Sequence, residues 1–499
     1  MTAYSDLESR FTQLSDIGGA LAVLNWDRSA IMPAGGNEAR AEQIATLQVL
    51  AHEILTDRSV PGALAEAEAE TGALDDWQTA NLREMRREWA HAAAVPADLV
   101  AASARACARC EMVWRTARPA ADFAAVLPLL DEVLRLTREI GQAKSAALGV
   151  GVYDALIDQY DPGSRQERID VLFAELEAEL PGLLGEILEA QGRRPAASPL
   201  GRLFPVEAQH ALGTGLMETL GFDFGHGRLD VSLHPFCGGV PDDVRITTRY
   251  NEADFAPALM GVLHEAGHAL YERGLPQPWR RQPVGQSRGM SVHESQSLLI
   301  EMQACRSREF LSYAAPLMRA AFGREGPEWE VDNLHRLYTR VQPGFIRVDA
   351  DEVTYPAHIL LRYRLEGALI GGDLQLADLP EAWNEGMRRL LGLTPPNDSV
   401  GCLQDIHWFD GAWGYFPSYT LGALLAAQLF EAARRSNPEM LAAISRGDFA
   451  PLLSWLRTEV HGKGRHLDTE ELVKQATGRP LGTEAFIGHL RKRYLSEDW

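Results

Sequence analysis

Val262-Leu263-His264-Glu265-Ala266-Gly267-His268-Ala269-Leu270 places two histidines four residues apart, with a glutamate directly after the first. On a helix, positions i and i+4 share a face, so His264 and His268 can offer two imidazoles to one ion. A catalytic zinc site needs three protein ligands, with nitrogen donors at about 2.0–2.1 Å, and one open position for water. Glu265 lies close enough to that position to act as general base on the water. Leu259, Val262, Leu263 and Leu270 give the segment the apolar surroundings of a buried helix. Two histidines and a glutamate inside a core need a partner.

The third ligand must come from elsewhere, because Gly274 and Pro276 follow without a third histidine at the extended H-E-x-x-H-x-x-G-x-x-H spacing. Ser291-Val292-His293-Glu294-Ser295-Gln296-Ser297-Leu298-Leu299 begins a second helix after Gly289. Ser291 as N-cap and Glu294 at N3 make a capping box, so Glu294 is either a cap or a ligand. The connection from Gly274 to Gly289 is short and rich in Gly and Pro. It lets the two helices return side by side and bring Glu294 onto the ion.

With 499 residues and 46% hydrophobic content, the chain can bury a large core. Its formal net charge of −21, with no Lys/Arg-rich run, argues against nucleic-acid partners. The N-terminus lacks a basic and apolar leader, and no apolar run reaches membrane-spanning length, so a soluble intracellular protein is expected. Five cysteines fit reduced thiols, with Cys107-x-x-Cys110 inside an alanine-rich helix and no second pair to complete a zinc site.

Residues 1–200 read as helical, from stretches such as Asp76 to Ala93, and carry no repeat. In Asn25-Trp26-Asp27-Arg28 a packed tryptophan and a helix stop are expected. Arg228 to Leu233 and Val244 to Tyr250 read as strands, turned by His234-Pro235-Phe236 and Gly238-Gly239. An edge strand just before the H-E-x-x-H helix can hold a peptide by backbone hydrogen bonds. Asp243, Arg245 and Thr247 alternate onto one face, which leaves Arg245 as a substrate contact or an ion pair with Asp243. Phe345 to Glu352 reads as a strand or turn, and Gly401 opens a loop dense in aromatics, with His407, Tyr415 and Tyr419. Those rings are core plugs or donors to an oxyanion. Gly285-Gln286-Ser287-Arg288-Gly289 fits G-x-S-x-G, but it lacks the preceding strand that a nucleophile elbow requires.

Six blocks in order resemble the M32 metallocarboxypeptidases, the carboxypeptidase Taq type. They are His234-Pro235-Phe236, Asp243-x-Arg245-x-Thr247, His264-Glu265-x-x-His268, His293-Glu294-Ser295-Gln296, Ile346-Arg347-x-x-Ala350-Asp351-Glu352 and Gly401-x-x-Gln404-Asp405-x-His407-Trp408. The resemblance implies a mainly α, zincin-like helical fold with a deep central groove and a small antiparallel β-sheet. One unit would span 1–499, its 1–200 half covering the groove and its 201–499 half catalytic. His264, His268 and Glu294 would hold one divalent metal, zinc first, with cobalt or manganese possible, and Glu265 would be the general base. Tyr419, or failing that Tyr415 or His407, would stabilise the oxyanion. Arg347 is the first choice to clamp a terminal carboxylate, the alternative being a pair with Asp349 or Asp351; Arg245 is the second choice, and His234 and Tyr415 would also face substrate. The activity implied is release of single C-terminal residues from peptides, with broad specificity and proline disfavoured, by a cytoplasmic homodimer. Leu298 and Cys237 depart from the pattern, where Arg and Ser or Thr are expected. The rivals are an endo-oligopeptidase on the same fold and a non-catalytic helical scaffold.

Overall fold

In the computed structural model, which describes residues 2–201 and 203–496, the chain is mainly α-helical with one small sheet. The segment Asp76–Ala93 is a helix as expected, opened by Asp75 and Gln78 in a reciprocal capping box. Two large apolar cores form. One joins helices of 106–187 to residues 341–427 and 486–494. The other gathers residues 204–338 and 425–473. The helix Pro417–Ser436 is the wall between them: Leu421 and Leu424 enter the first core, and Leu425 and Leu429 the second. A third, smaller core joins Leu7 and Phe11 of the first helix, Ala3–Ala30, to Leu82 and Met85.

The sheet differs from the antiparallel one expected. Its strands are β1 (Gly227–Val231), β2 (Cys237–Val240) and β3 (Asp243–Thr248), in the order β1-β3-β2. β3 pairs antiparallel with β2 but parallel with β1, so the sheet is mixed. The cause is the connection 232–242, which carries the chain past the place of β3, lays Cys237–Val240 on the far edge and turns back into the middle. Gly238 and Gly239 are therefore strand residues. Val244 and Ile246 turn inward, into the core that contains the helix Ala256–Gly274.

That helix bears the H-E-x-x-H segment and is followed, as expected, by a second helix at Met290–Leu298, which bears Glu294. Ser291 is not its N-cap. Gly289 holds that position, and the Ser291 hydroxyl donates to Asp161 at 2.6 Å, so an N-terminal-half carboxylate serves the helix start. Glu294 is thereby free of a capping role.

The connection between the two helices is gripped by the N-terminal half. Gln282 donates to the Glu8 carbonyl and to Thr12, both at 2.9 Å, and accepts from Asn81. Buried Arg288 pairs with buried Glu84 at 3.0 Å. Among the described residues no helix is long and apolar enough to cross a membrane.

Candidate metal centre and substrate groove

The crossing of the two helices is set by a missing side chain. A Cβ on Gly267 would lie 2.6 Å from the Gln296 carbonyl oxygen, so only glycine lets the helices approach this closely. On the other side, a Cβ on Gly422 of the helix Pro417–Ser436 would lie 2.8 Å from the Glu294 side chain. Glu294 is thus held between two helices and aimed at the histidines. One Glu294 oxygen stands 3.8 Å from His264 Nε2 and 3.4 Å from His268 Nε2. The three donor atoms lie within 4.8 Å of one another.

Both rings are oriented from behind. His264 Nδ1 donates to Glu301 at 3.0 Å, and Glu301 in turn accepts from Arg306 at 2.5 Å. Glu301 sits in a π-helical turn, Leu299–Cys305, which follows the Glu294 helix. His268 Nδ1 faces His293 Nδ1 at 2.6 Å, and His293 Nε2 faces Glu272 at 2.8 Å. A chain of donors from His268 through His293 to Glu272 satisfies these distances. Each ligand histidine then turns a lone pair at Nε2 toward Glu294. Two imidazole nitrogens and one carboxylate oxygen, braced this way, suit a divalent metal of the zinc type.

Burial pushes the Glu265 carboxyl up to about 7, against the pull of the His264 imidazole. Its Oε2 is buried and has no hydrogen-bond partner within the protein. Burial would lower His264, but the Glu294 and Glu301 carboxylates carry it up to about 10. Burial and the neighbouring His293 take His268 down to about 4. For Glu294, His264 and His268 overcome burial and hold the carboxyl at about 2.

Two of the sequence blocks prove to serve each other. Gln404 accepts from the Arg347 amide and donates to the Phe345 carbonyl, both at 2.9 Å. Asp405 Oδ1 accepts from Arg347 Nε at 3.1 Å and Nη2 at 2.7 Å, while Asp405 Oδ2 accepts from Arg362 Nε at 2.6 Å. Neither Asp349 nor Asp351 is the partner that Arg347 takes. Phe345 to Glu352 is a loop with a 3₁₀ turn at Arg347–Asp349, because these side-chain bonds replace a ladder. Two arginines on one aspartate leave a buried excess positive charge. Arg347 Nη1 donates to the Tyr355 hydroxyl at 3.3 Å, and its guanidinium lies 5.0 Å from the Tyr419 ring centre.

Tyr419 also meets His407 Nε2 at 3.3 Å, and Tyr415 packs edge-on against it. Burial raises Tyr419 to about 12 and lowers His407 to about 4, so a phenol and a neutral imidazole stand here at working pH. The Glu294 carboxylate contributes to raising both Tyr415 and Tyr419, which puts the two rings in its field.

The sheet side is reached through a cavity of about 680 Å³. Edge strand β2 lines it, together with Glu272, His293 and Arg281. Burial, with Glu265 and Glu272, pushes the Cys237 thiol up, which places this strand beside the H-E-x-x-H glutamate. Arg245 pairs with Asp243 at 2.7 Å and stacks on Trp26 at 4.1 Å, so the structure shows its ion-pair alternative. His234 stands exposed on the connection between β1 and β2, and Thr247 accepts from the Phe236 amide of the same loop. Leu298 is buried in the second core, where an arginine would need a partner.

The family model described as carboxypeptidase Taq (M32) metallopeptidase matches residues 6–494. The chain belongs to the M32 metallocarboxypeptidase family. A thermostable carboxypeptidase 1 from Thermus thermophilus is 40% identical over 488 residues, covering 96% of this M32 chain and 95% of that one. Carboxypeptidase 1 of Bacillus subtilis is 33% identical, covering 98% and 97%. Among solved structures, metallocarboxypeptidase 1 of Trypanosoma cruzi superposes with a TM-score of 0.97 at 41% identity, covering 99% of each chain.

The structure draws in residues around the M32 centre that sequence reasoning passed over. Glu301 and Glu272 had no local signal beyond being carboxylates near the motif, and Arg362 was hidden in an apolar helix. His293 could have been found, since it adjoins Glu294 in the quoted block. The Gly285-to-Gly289 segment runs from a 3₁₀ turn to a helix start, and the Ser287 carbonyl accepts from Arg465.

Proposed function

We propose that this metallocarboxypeptidase removes C-terminal residues singly from peptides, with broad specificity and proline disfavoured, acting through one zinc-class ion held by His264, His268 and Glu294. The observation that carries the reading is the His264, His268 and Glu294 triad beside the unpartnered Glu265 carboxyl, with Tyr419 standing in the field of both Glu294 and Arg347.

A divalent ion at such a site polarises a carbonyl and makes water acidic enough to attack near neutral pH. Glu265 accepts the proton of the attacking water and delivers it to the leaving amine. Arg347 binds the terminal carboxylate, which its planar fork and fixed charge suit. Tyr419 donates its hydroxyl to the oxyanion, with Tyr415 and His407 as its neighbours. The rest of the peptide runs along β2, whose outer edge has no strand partner among the described residues. Arg245 and His234 would touch only the distal part of a peptide. The unit spans 1–499 with residues 1–200 covering the groove, and it works as a cytoplasmic homodimer. Five free cysteines fit a reducing compartment.

Digestion of one peptide in free-acid and C-terminally amidated forms, read as a mass ladder beside metal analysis, tests the reading. Stepwise loss of single residues from the acid form, with the amide form resistant, is expected. Rapid internal cleavage of the amide would favour the endo-oligopeptidase.

A further inference from the structure

The helix Tyr355–Gly371 meets the aromatic loop at more than the Arg362 to Asp405 pair. One turn on, Glu366 is fully buried. Its Oε2 accepts from the Trp408 indole at 2.6 Å, and its Oε1 accepts from the backbone amide of Gly414. Trp408 adjoins His407, and Gly414 adjoins Tyr415. One carboxylate therefore holds the two residues next to the rings that line the groove. A third donor, the Tyr153 hydroxyl at 2.9 Å, comes from the helix Val152–Tyr160. No cation forms an ion pair with this carboxylate among the described residues, unlike Glu84, Glu352 or Asp405, which each meet an arginine. A buried carboxylate is costly without such a partner, and here its partners are two neutral donors of one loop and one phenol.

We propose that Glu366 is a positioning residue for the reaction: by gripping both ends of the Trp408-to-Gly414 loop, it sets His407 and Tyr415, and through them Tyr419, toward the oxyanion. The inference rests on the functional reading above. Its geometric part stands without that reading, since loop order is measurable in the absence of turnover.

Glutamine keeps the shape of Glu366 but turns an NH₂ group against either the indole or the amide donor. E366Q should retain full metal content, because the ligands lie on other helices. It should lose at least about tenfold in kcat with KM changed less than about threefold, as expected when a transition-state donor is misplaced. Amide hydrogen exchange over 405–416 should rise at least about tenfold, while 256–298 stays as in wild type. W408F, which removes one loop donor, should follow E366Q; Y153F, which removes the donor outside the loop, should stay within about twofold in kcat and exchange. Wild-type kcat in a folded E366Q protein would overturn the proposal, as would exchange raised throughout the catalytic half or equal damage from Y153F and W408F. If E366Q does not fold, the comparison of W408F with Y153F decides. If the wild type cleaves no peptide, the functional reading fails, and the exchange pattern alone judges the positioning.

Discussion

At the residue scale, the proposed roles separate metal holding from proton transfer. Glu265 lies between the ligand histidines yet has a free buried oxygen, so E265Q should keep its metal while kcat falls by about 10²–10⁴-fold, measured by metal analysis and steady-state kinetics. Glu301 acts through His264, and E301Q should weaken metal affinity by about 10–100-fold in a chelator competition. The raised His264 gives that affinity a pH dependence of definite sign. Below about 10 the imidazole carries a proton that must leave before the ring can bind. Apparent affinity should therefore weaken by about tenfold for each pH unit of acidification, with protons released on binding at neutral pH. A flat profile would show that the His264 imidazole is already neutral in the metal-free site. R347A should lose activity on free-acid peptides and little on amides. Equal fractional losses would leave Arg347 as a partner of Asp405 only.

At the element scale, what could be read from sequence was what is local. The H-E-x-x-H helix, the second helix bearing Glu294 and the Gly/Pro connection declare themselves through period, motif and breaker residues. Three features stayed hidden because they depend on distant chain. The parallel pairing of β1 with β3 is a register across an intervening strand. The partner of Arg347 is 58 residues away, while two aspartates sit nearer in sequence. Glu301 lies in a π turn, where helical spacing rules slip. The helix crossing yields a paired test on one helix: Gly267 meets backbone at 2.6 Å, whereas Gly261 has nothing within 4 Å. G267A should destabilise by about 1–3 kcal/mol and weaken metal binding, while G261A should be neutral or stabilising by up to about 1 kcal/mol. Thermal melts with and without metal distinguish the two, and equal effects would remove Gly267 from the account of the crossing.

At the scale of the whole molecule, charge burial shapes stability in opposite directions across pH. Burial raises Asp410 to about 6 and Glu366 to about 7, and such groups contribute stability below the ordinary carboxyl range that is lost as pH rises through those values. Asp158, Glu352 and Asp405 are held well below that range, where Arg87 and His91, Arg493 and His489, and Arg347 and Arg362 overcome burial. Their stability is present above about pH 4 and lost as pH falls below it. Burial also holds His335 and His407 down to about 4 and His358 and His461 down to about 3, and their stability is present above the ordinary imidazole range and lost as pH falls below it. Thermal melts of the chelator-treated protein should therefore rise from pH 4 to about pH 6.5, and a maximum near pH 5 would contradict this balance.

The grip of the first helix on Gln282 also bears on how the protein is made. Glu8 and Thr12 leave the ribosome before Gln282, which follows 274 and 270 residues later. Central strand β3, too, is the last of its sheet to be synthesised. Leu7 and Phe11 can be covered early by Leu82 and Met85, but the polar grip on Gln282 must wait until more than half the chain has emerged. Stalled nascent chains ending near residue 250 should be cut readily by protease within the first 30 residues, and chains extended past 330 should resist.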